Sequence, residues 1–157
     1  IYRAIGDRAG EGTTLNNISQ IHKAQGDYAT ALDYLRQSLD IYRAIGDRAG
    51  EGTTLNNMAT AAHAQGDYAT ALDFLRQSLD IRRAIGDAAG LCATLFNMGH
   101  IHAQNGEINE AVSAWVTAAF LVRCLPRTSA SRISRSSSCR FVATRFTSTH
   151  NVTHPDV

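Results

Sequence analysis

Proline is almost missing from this chain. Pro126 and Pro155 are its only two, so the main helix breaker is absent from the first 125 of 157 residues. Charged side chains are also sparse at 18%, while the hydrophobic share of 44% is ordinary for a folded domain. The three cysteines, Cys92, Cys124 and Cys139, are odd in number, widely spaced and without a C-x-x-C pair. That excludes a disulfide framework and a structural zinc site, and it fits a reducing, cytoplasmic compartment. No apolar run approaches the roughly 20 residues of a membrane-spanning helix. No signal peptide is visible, and the sequence begins at Ile1 in what reads as the middle of an element.

Catalytic signatures are equally scarce. There is no G-x-x-x-x-G-K phosphate loop and no nucleophile–base or metal set, so the sequence reads as a non-enzyme without cofactor or metal. The six histidines are His22, His63, His100, His102, His150 and His154. On a helix, His100 and His102 would point about 200° apart and could not share a metal. His63 and His100 can be neighbours on adjacent helices, but two ligands do not make a zinc site.

The net charge of +1 conceals a division. Residues 123–157 carry six arginines against one acid, net +5, which leaves −4 for residues 1–122. A mildly acidic body is not the electrostatic footprint of a nucleic-acid binder.

What the sequence does contain is a repeat. Residues 1–10, Ile-Tyr-Arg-Ala-Ile-Gly-Asp-Arg-Ala-Gly, return letter for letter at 41–50 and in modified form at 81–90, a period of 40. Each period divides into two helical stretches. After Gly26-Asp27, the residues Ala31, Leu32, Leu35, Leu39 and Tyr42 fall on one face, and Tyr34, Ser38, Ile41 and Ile45 on a second. Asp33, Arg36, Asp40 and Arg43 form a wet stripe between them, with opposite charges at helical spacing. A helix with two apolar faces must be covered on both sides, which is the condition of an inner element of a solenoid.

Gly-Asp pairs at 26–27, 46–47, 66–67 and 86–87 supply the punctuation. Glycine suits the left-handed residue past a helix end, and aspartate caps the next helix. The third copy has Asn105-Gly106-Glu107, a weaker version of the same signal. These signals predict helices near 8–25, 28–45, 48–65, 68–85, 88–105 and 108–124, with residues 1–5 ending an earlier one.

The repeat resembles the tetratricopeptide repeat, whose pattern is W-x2-L-G-x2-Y, A-x3-F, P. The third copy gives Leu95-x2-Met98-Gly99-x2-His102 and Ala111-x3-Trp115. The first gives Leu15-x2-Ile18-Ser19-x2-His22 and Ala31-x3-Leu35. Gly-Asp-Tyr-Ala-Thr-Ala-Leu at 26–32 and 66–72 looks like this family's hairpin turn, with Ala31, Ala71 and Ala111 at the closest helix approach. The period of 40 instead of 34, and Arg43 and Arg83 in place of the terminal proline, resemble the kinesin light chain and GoLoco-binding subclasses. A HEAT-type repeat has a similar length but does not explain the Gly-Asp-Tyr turn.

The resemblance implies an all-α fold, a right-handed superhelical solenoid of antiparallel helix pairs. Residues 1–11 would be the end of a preceding repeat and a linker. Repeats would then span 12–51, 52–91 and, degenerate, 92–125. It also implies that the first helix of each pair lines a concave groove. Asn17, Asn57 and Asn97 recur at one position there, each offering a donor and an acceptor to the backbone of an extended peptide. Thr13, Thr53, Asn16, Asn56, Gln20, Lys23, His63 and His100 would be their neighbours. The expected function is a scaffold that binds a protein or peptide, part of a larger regulatory or signalling protein. Recent duplication and structural bonding between helices also account for recurrent asparagines.

Past about Ala114 the pattern fails. Val116, Thr117 and Phe120 replace the polar residues of the wet stripe, so the last helix is apolar nearly all round. Trp115, Val116, Phe120 and Leu121 are expected to bind something or to cause self-association, which makes a self-assembly module the alternative function. Residues 126–157 are rich in Ser, Thr and Arg without periodicity and are expected to be disordered. Three readings of this tail stand open: a basic segment for membrane or nucleic acid, disorder without a role, and a shifted reading frame. Asn151-Val152-Thr153 fits a glycosylation sequon, with nothing else pointing to secretion.

Overall fold

The computed structural model describes residues 5–124. The tail 126–157 and its sequon, Cys139, and residues 1–4 of the expected preceding helix lie outside the described residues. Residues 5–122 belong to one compact unit. Among the described residues six helices follow one another: α1 (Ile5–Ala24), α2 (Tyr28–Ile45), α3 (Arg48–Ala64), α4 (Tyr68–Ile85), α5 (Ala88–Gln104) and α6 (Ile108–Cys124). The α1–α2, α3–α4 and α5–α6 hairpins stack as a solenoid of antiparallel pairs.

The punctuation works as the sequence implies. Gly26, Gly46, Gly66, Gly86 and Gly106 all adopt positive φ, between 71° and 83°. Asp27, Asp47, Asp67 and Asp87 each accept a backbone N–H three residues on, from Thr30, Gly50, Thr70 and Gly90. At Glu107 the carboxylate instead turns back to the His102 ring and the Asn105 amide.

One boundary differs from expectation. Gly6-Asp7 has the letters of Gly46-Asp47, yet α1 runs straight through it. At 46–47 the break is held by Gly46 and Asp47 amides bonded back to the Arg43 and Tyr42 carbonyls of α2. Among the described residues α1 begins at Ile5 rather than near residue 8.

The core runs between layers of neighbouring hairpins. Leu32, Leu35 and Leu39 of α2 share a cluster with Leu55, Met58 and Ala61 of α3. Ala71, Leu72 and Leu75 of α4 meet Ala59 and Ala62 of α3 and Ile101 of α5. Leu79, Leu95 and Ala118 close the stack with Leu91, Met98 and Leu121. Leu35, Leu55 and Leu75 are essentially sealed, each contributing about 1.5–3 kcal/mol of burial. Ala31, Ala71 and Ala111 are fully buried, as expected at the closest helix approach.

Arg36 pairs with Asp33 on the wet stripe at 2.8 Å. Arg43 reaches elsewhere, to buried Glu51 at the start of α3 at 2.9 Å, and Arg48 grips the same carboxylate at 2.5 Å. The α2–α3 joint therefore carries an ion cluster. In α6, Val116 and Phe120 are exposed, whereas Trp115 and Leu121 are half-buried. Trp115 fits because residue 99 is glycine: a methyl there would overlap the indole, whose Nε1–H donates to the Phe96 carbonyl at 3.2 Å.

Candidate functional site

The first helices touch one another directly, α1 with α3 and α3 with α5. They form a continuous layer on which every 40-residue register position becomes a column. The column 17, 57, 97 is all asparagine. Asn17 is exposed, while Asn57 and Asn97 are half-buried. The Asn57 Nδ2 donates to Asn16 Oδ1 at 3.0 Å, and the Asn97 Nδ2 to Asn56 Oδ1 at 3.2 Å. Two of the three amide donors thus tie consecutive repeats together.

Asn16 differs most from its expected place on an open face. It is 8% exposed and donates to Ser38 Oγ at 2.8 Å and Thr54 Oγ1 at 2.9 Å. A helical residue next to Asn17 is turned by about 100°, and that turn carries Asn16 into the junction of α1, α2 and α3. Asn56 is half-buried, and its counterpart in the third copy is Phe96, 61% exposed.

Thr13 and Thr53 are exposed and linked to the second helices. Thr13 Oγ1 lies 3.0 Å from the Tyr42 hydroxyl, and Thr53 Oγ1 accepts from Arg82 at 3.2 Å. Gln20 is half-buried. Lys23 donates to Thr60 Oγ1 at 3.3 Å, and partial burial lowers its pKa. The His63 and His100 rings stand 5.9 Å apart at a T-shaped angle, and Gln104 bonds both. Thr60, His63, Asn97 and His100 line a shallow hollow of about 60 Å³ floored by Leu75 and Ile101. Thr60 and Gln104 escaped the sequence reading, although Thr60 shares the register of Gln20 and His100.

A larger hollow of about 460 Å³ opens over the turns, beside Asp67, Asp73, Arg76 and Glu107. Its charged groups are already engaged. Asp67 caps α4, Asp73 holds Arg76 at 2.8 Å, and Glu107 holds His102. Hydrogen bonds keep the Asp67 and Glu107 carboxyls below their usual pKa, from Thr70 in the first case and His102 in the second. Among the described residues no group of three or more His, Cys, Asp or Glu side chains is gathered for a metal ion. No described helix is long and apolar enough to cross a membrane.

The tetratricopeptide-repeat family profile matches residues 1–44 and 50–114. The chain belongs to the tetratricopeptide-repeat family. Tetratricopeptide repeats mediate protein–protein interactions. No curated protein matches the chain. Among solved structures it is similar to BtubC (BKLC) from P. vanneervenii, with a TM-score of 0.69 and 22% identity over 84% of this chain. It spans 57% of the length of that structure. It is also similar to the tetratricopeptide domain of Arabidopsis FLU, with a TM-score of 0.69 and 13% identity, over 75% of this chain and 99% of that one. Both likenesses support the same fold, a right-handed superhelical solenoid of antiparallel helix pairs.

Proposed function

We propose that the chain is an interaction scaffold that binds an extended peptide segment of a partner protein along its first-helix layer. The asparagine column carries this reading. Asn57 and Asn97 direct their amide N–H groups into the neighbouring repeat, which leaves their carbonyl oxygens for a ligand, and Asn17 offers both functions. Packed helices lie about 8–10 Å apart. An extended or polyproline-type chain advances about 9–10 Å over three residues, so every third backbone N–H can meet one asparagine. Thr13, Thr53, Gln20, Asn56, Lys23, His63 and His100 border the column, and Thr60 joins them. Asn16 supports the column from beneath. A place within a larger regulatory or signalling protein in the cytoplasm belongs to this proposal.

Peptides selected by display against the full chain provide the probe. Binding is then followed by fluorescence anisotropy. Asn17→Ala is expected to weaken a selected peptide by about tenfold, the worth of roughly one hydrogen bond at a desolvated contact, with the urea midpoint unchanged. Affinity that survives Asn17→Ala and His100→Ala together refutes the reading.

A second reading is self-association through α6, favoured by its exposed Val116 and Phe120 on the face where the earlier repeats carry charge. Trp115 and Leu121 support that helix from within.

A further inference from the structure

Among the described residues there are two joints between consecutive hairpins, α2 on α3 and α4 on α5. They are built alike. In the first, Leu32 and Leu39 meet Leu55, Met58 and Ala61, and the Tyr42 ring fills the space above Gly50. In the second, Leu72 meets Ile101, Leu79 meets Leu95, and Arg82 fills the space above Gly90. Each time, the second helix of one pair receives the first helix of the next.

Forty residues further on, α6 carries smaller apolar residues at these positions, with Ala119 where Leu39 and Leu79 stand. Val112 stands where Leu32 and Leu72 stand, and Val122 where Tyr42 and Arg82 stand. Leu32 and Leu72 are 9% and 6% exposed, but Val112 is 49% and Val122 56% exposed. Phe96, beside them on α5, is 61% exposed where Asn16 is 8%. The joint positions are therefore apolar a third time, in smaller residues, and uncovered among the described residues.

Among the described residues, the helix that covers it elsewhere also stands uncovered, as α1. Gly12–Asn17 of α1 repeats residues 52–57 of α3 letter for letter. Ile21 occupies the position of Ala61 and Ile101, which are 0% and 3% exposed, yet Ile21 is 59% exposed. A methyl at Gly50 or Gly90 would strike Tyr42 or Arg82, whereas nothing lies within 4 Å of one at Gly10. Placing α1 of a second copy on α6 would pair Ile21 with Val112, one methylene smaller than the Ile101–Leu72 contact.

We propose that copies of this protein join head to tail, α1 of one docking on the α5/α6 end of the next. This rests on the self-association through α6 read above, and places the contact on the Val112–Val122 side of that helix instead of the Val116–Phe120 side. The two surfaces differ, so the contact is heterologous and leaves one end open at each step. Growth then continues past the dimer.

Sedimentation of the full chain over a concentration series tests this, with two charge variants at exposed positions. Val112→Glu blocks the α6 end and Ile21→Glu blocks the α1 end. The unmodified chain is expected to rise beyond twice the monomer mass. Each variant alone stays monomeric, with an unchanged helical circular-dichroism signal. Their equimolar mixture gives a one-to-one dimer, because one intact end of each kind remains. A mixture that stays monomeric, or growth of the unmodified chain that stops at two, overturns the head-to-tail joint and leaves self-association standing. An unmodified chain that stays monomeric throughout overturns both.

Discussion

Replacing Asn16 by alanine should loosen the first repeat, while the same change at Asn17 should not. Asn16 ties three helices with one amide. Its Nδ2 donates to Ser38 of α2 and Thr54 of α3, and its Oδ1 accepts from Asn57. Ser38 and Thr54 are both fully buried. Their hydroxyls keep acceptors in the variant, the carbonyls of Gly12 and Gly50, each at 2.9 Å. No buried O–H is orphaned, so the loss is the net worth of the three bonds, about 1 kcal/mol each. Alanine's better helix propensity returns about 0.5 kcal/mol. The balance is a destabilisation of about 2–3 kcal/mol, a large share of a domain's total stability.

With a urea slope of about 1–3 kcal/mol/M, the midpoint followed by far-ultraviolet circular dichroism should fall by about 1–2 M. Asn17 is exposed, and Asn17→Ala should stay within about 0.5 kcal/mol of the parent. Equal midpoints for the two variants would refute the separation between a structural Asn16 and a ligand-facing Asn17.

Two further predictions use the same internal symmetry. Gly10→Ala should raise the thermal midpoint in dilute solution, worth about 0.5–1 kcal/mol, because the added methyl meets nothing. Gly50→Ala, in an identical local sequence, should lower it by about 1–3 kcal/mol through overlap with the Tyr42 ring; midpoints that move in one direction would contradict the joint geometry. Side-chain and backbone hydrogen bonds from Thr30 and Thr70, and the backbone N–H of Gly90, hold Asp27, Asp67 and Asp87 below the usual carboxylate pKa of 3.8. A depressed folded pKa gives stability that is present above the unfolded value and lost as pH falls through the folded one. The midpoint should be flat from pH 7 to 5 and drop below about pH 4. The triple Asp→Asn variant at 27, 67 and 87 keeps capping groups without the charge, and it should flatten that drop.

The helices were legible because their signals are local. Gly-Asp pairs, two apolar faces and a 40-residue period place five of six helix starts within a residue or two. What was not legible depends on partners distant in sequence. Asn16 and Asn17 are adjacent identical letters, and only the packing of α2 and α3 decides which one is enclosed. Gly6-Asp7 and Gly46-Asp47 are likewise identical, yet α1 runs through the first pair, while at the second the amides return to the Arg43 and Tyr42 carbonyls. Trp115 reads as a sticky residue until Gly99 opens a seat for it. Candidate ligand contacts were legible as columns rather than as chemistry. The 40-residue register aligns Gln20, Thr60 and His100, but the 3.3 Å bond from Lys23 to Thr60 follows from helix spacing.

The third copy shows two kinds of change, and the difference bears on what α6 does. Inside the hairpin, substitutions come in matched pairs. Ser38 and Ser78 donate to the Gly12 and Gly52 carbonyls; at the same positions Ala118 and Cys92 reverse the bond, the thiol donating to the Ala118 carbonyl at 3.6 Å. Burial raises the Cys92 thiol pKa, which keeps it in the donating form. Ala59 and Leu75 become Gly99 and Trp115, one side chain shrinking as the other grows. On the outward side, Asn56 becomes Phe96, Leu72 becomes Val112 and Arg82 becomes Val122, without a compensating residue among those described. Uncompensated apolar exposure on a face that is elsewhere a joint is costly to leave in water, at about 25 cal/mol per Å². Matched changes on the inner side show that α6 is fitted to α5. In the proposed head-to-tail joint, that apolar outer side is what a second copy's α1 covers.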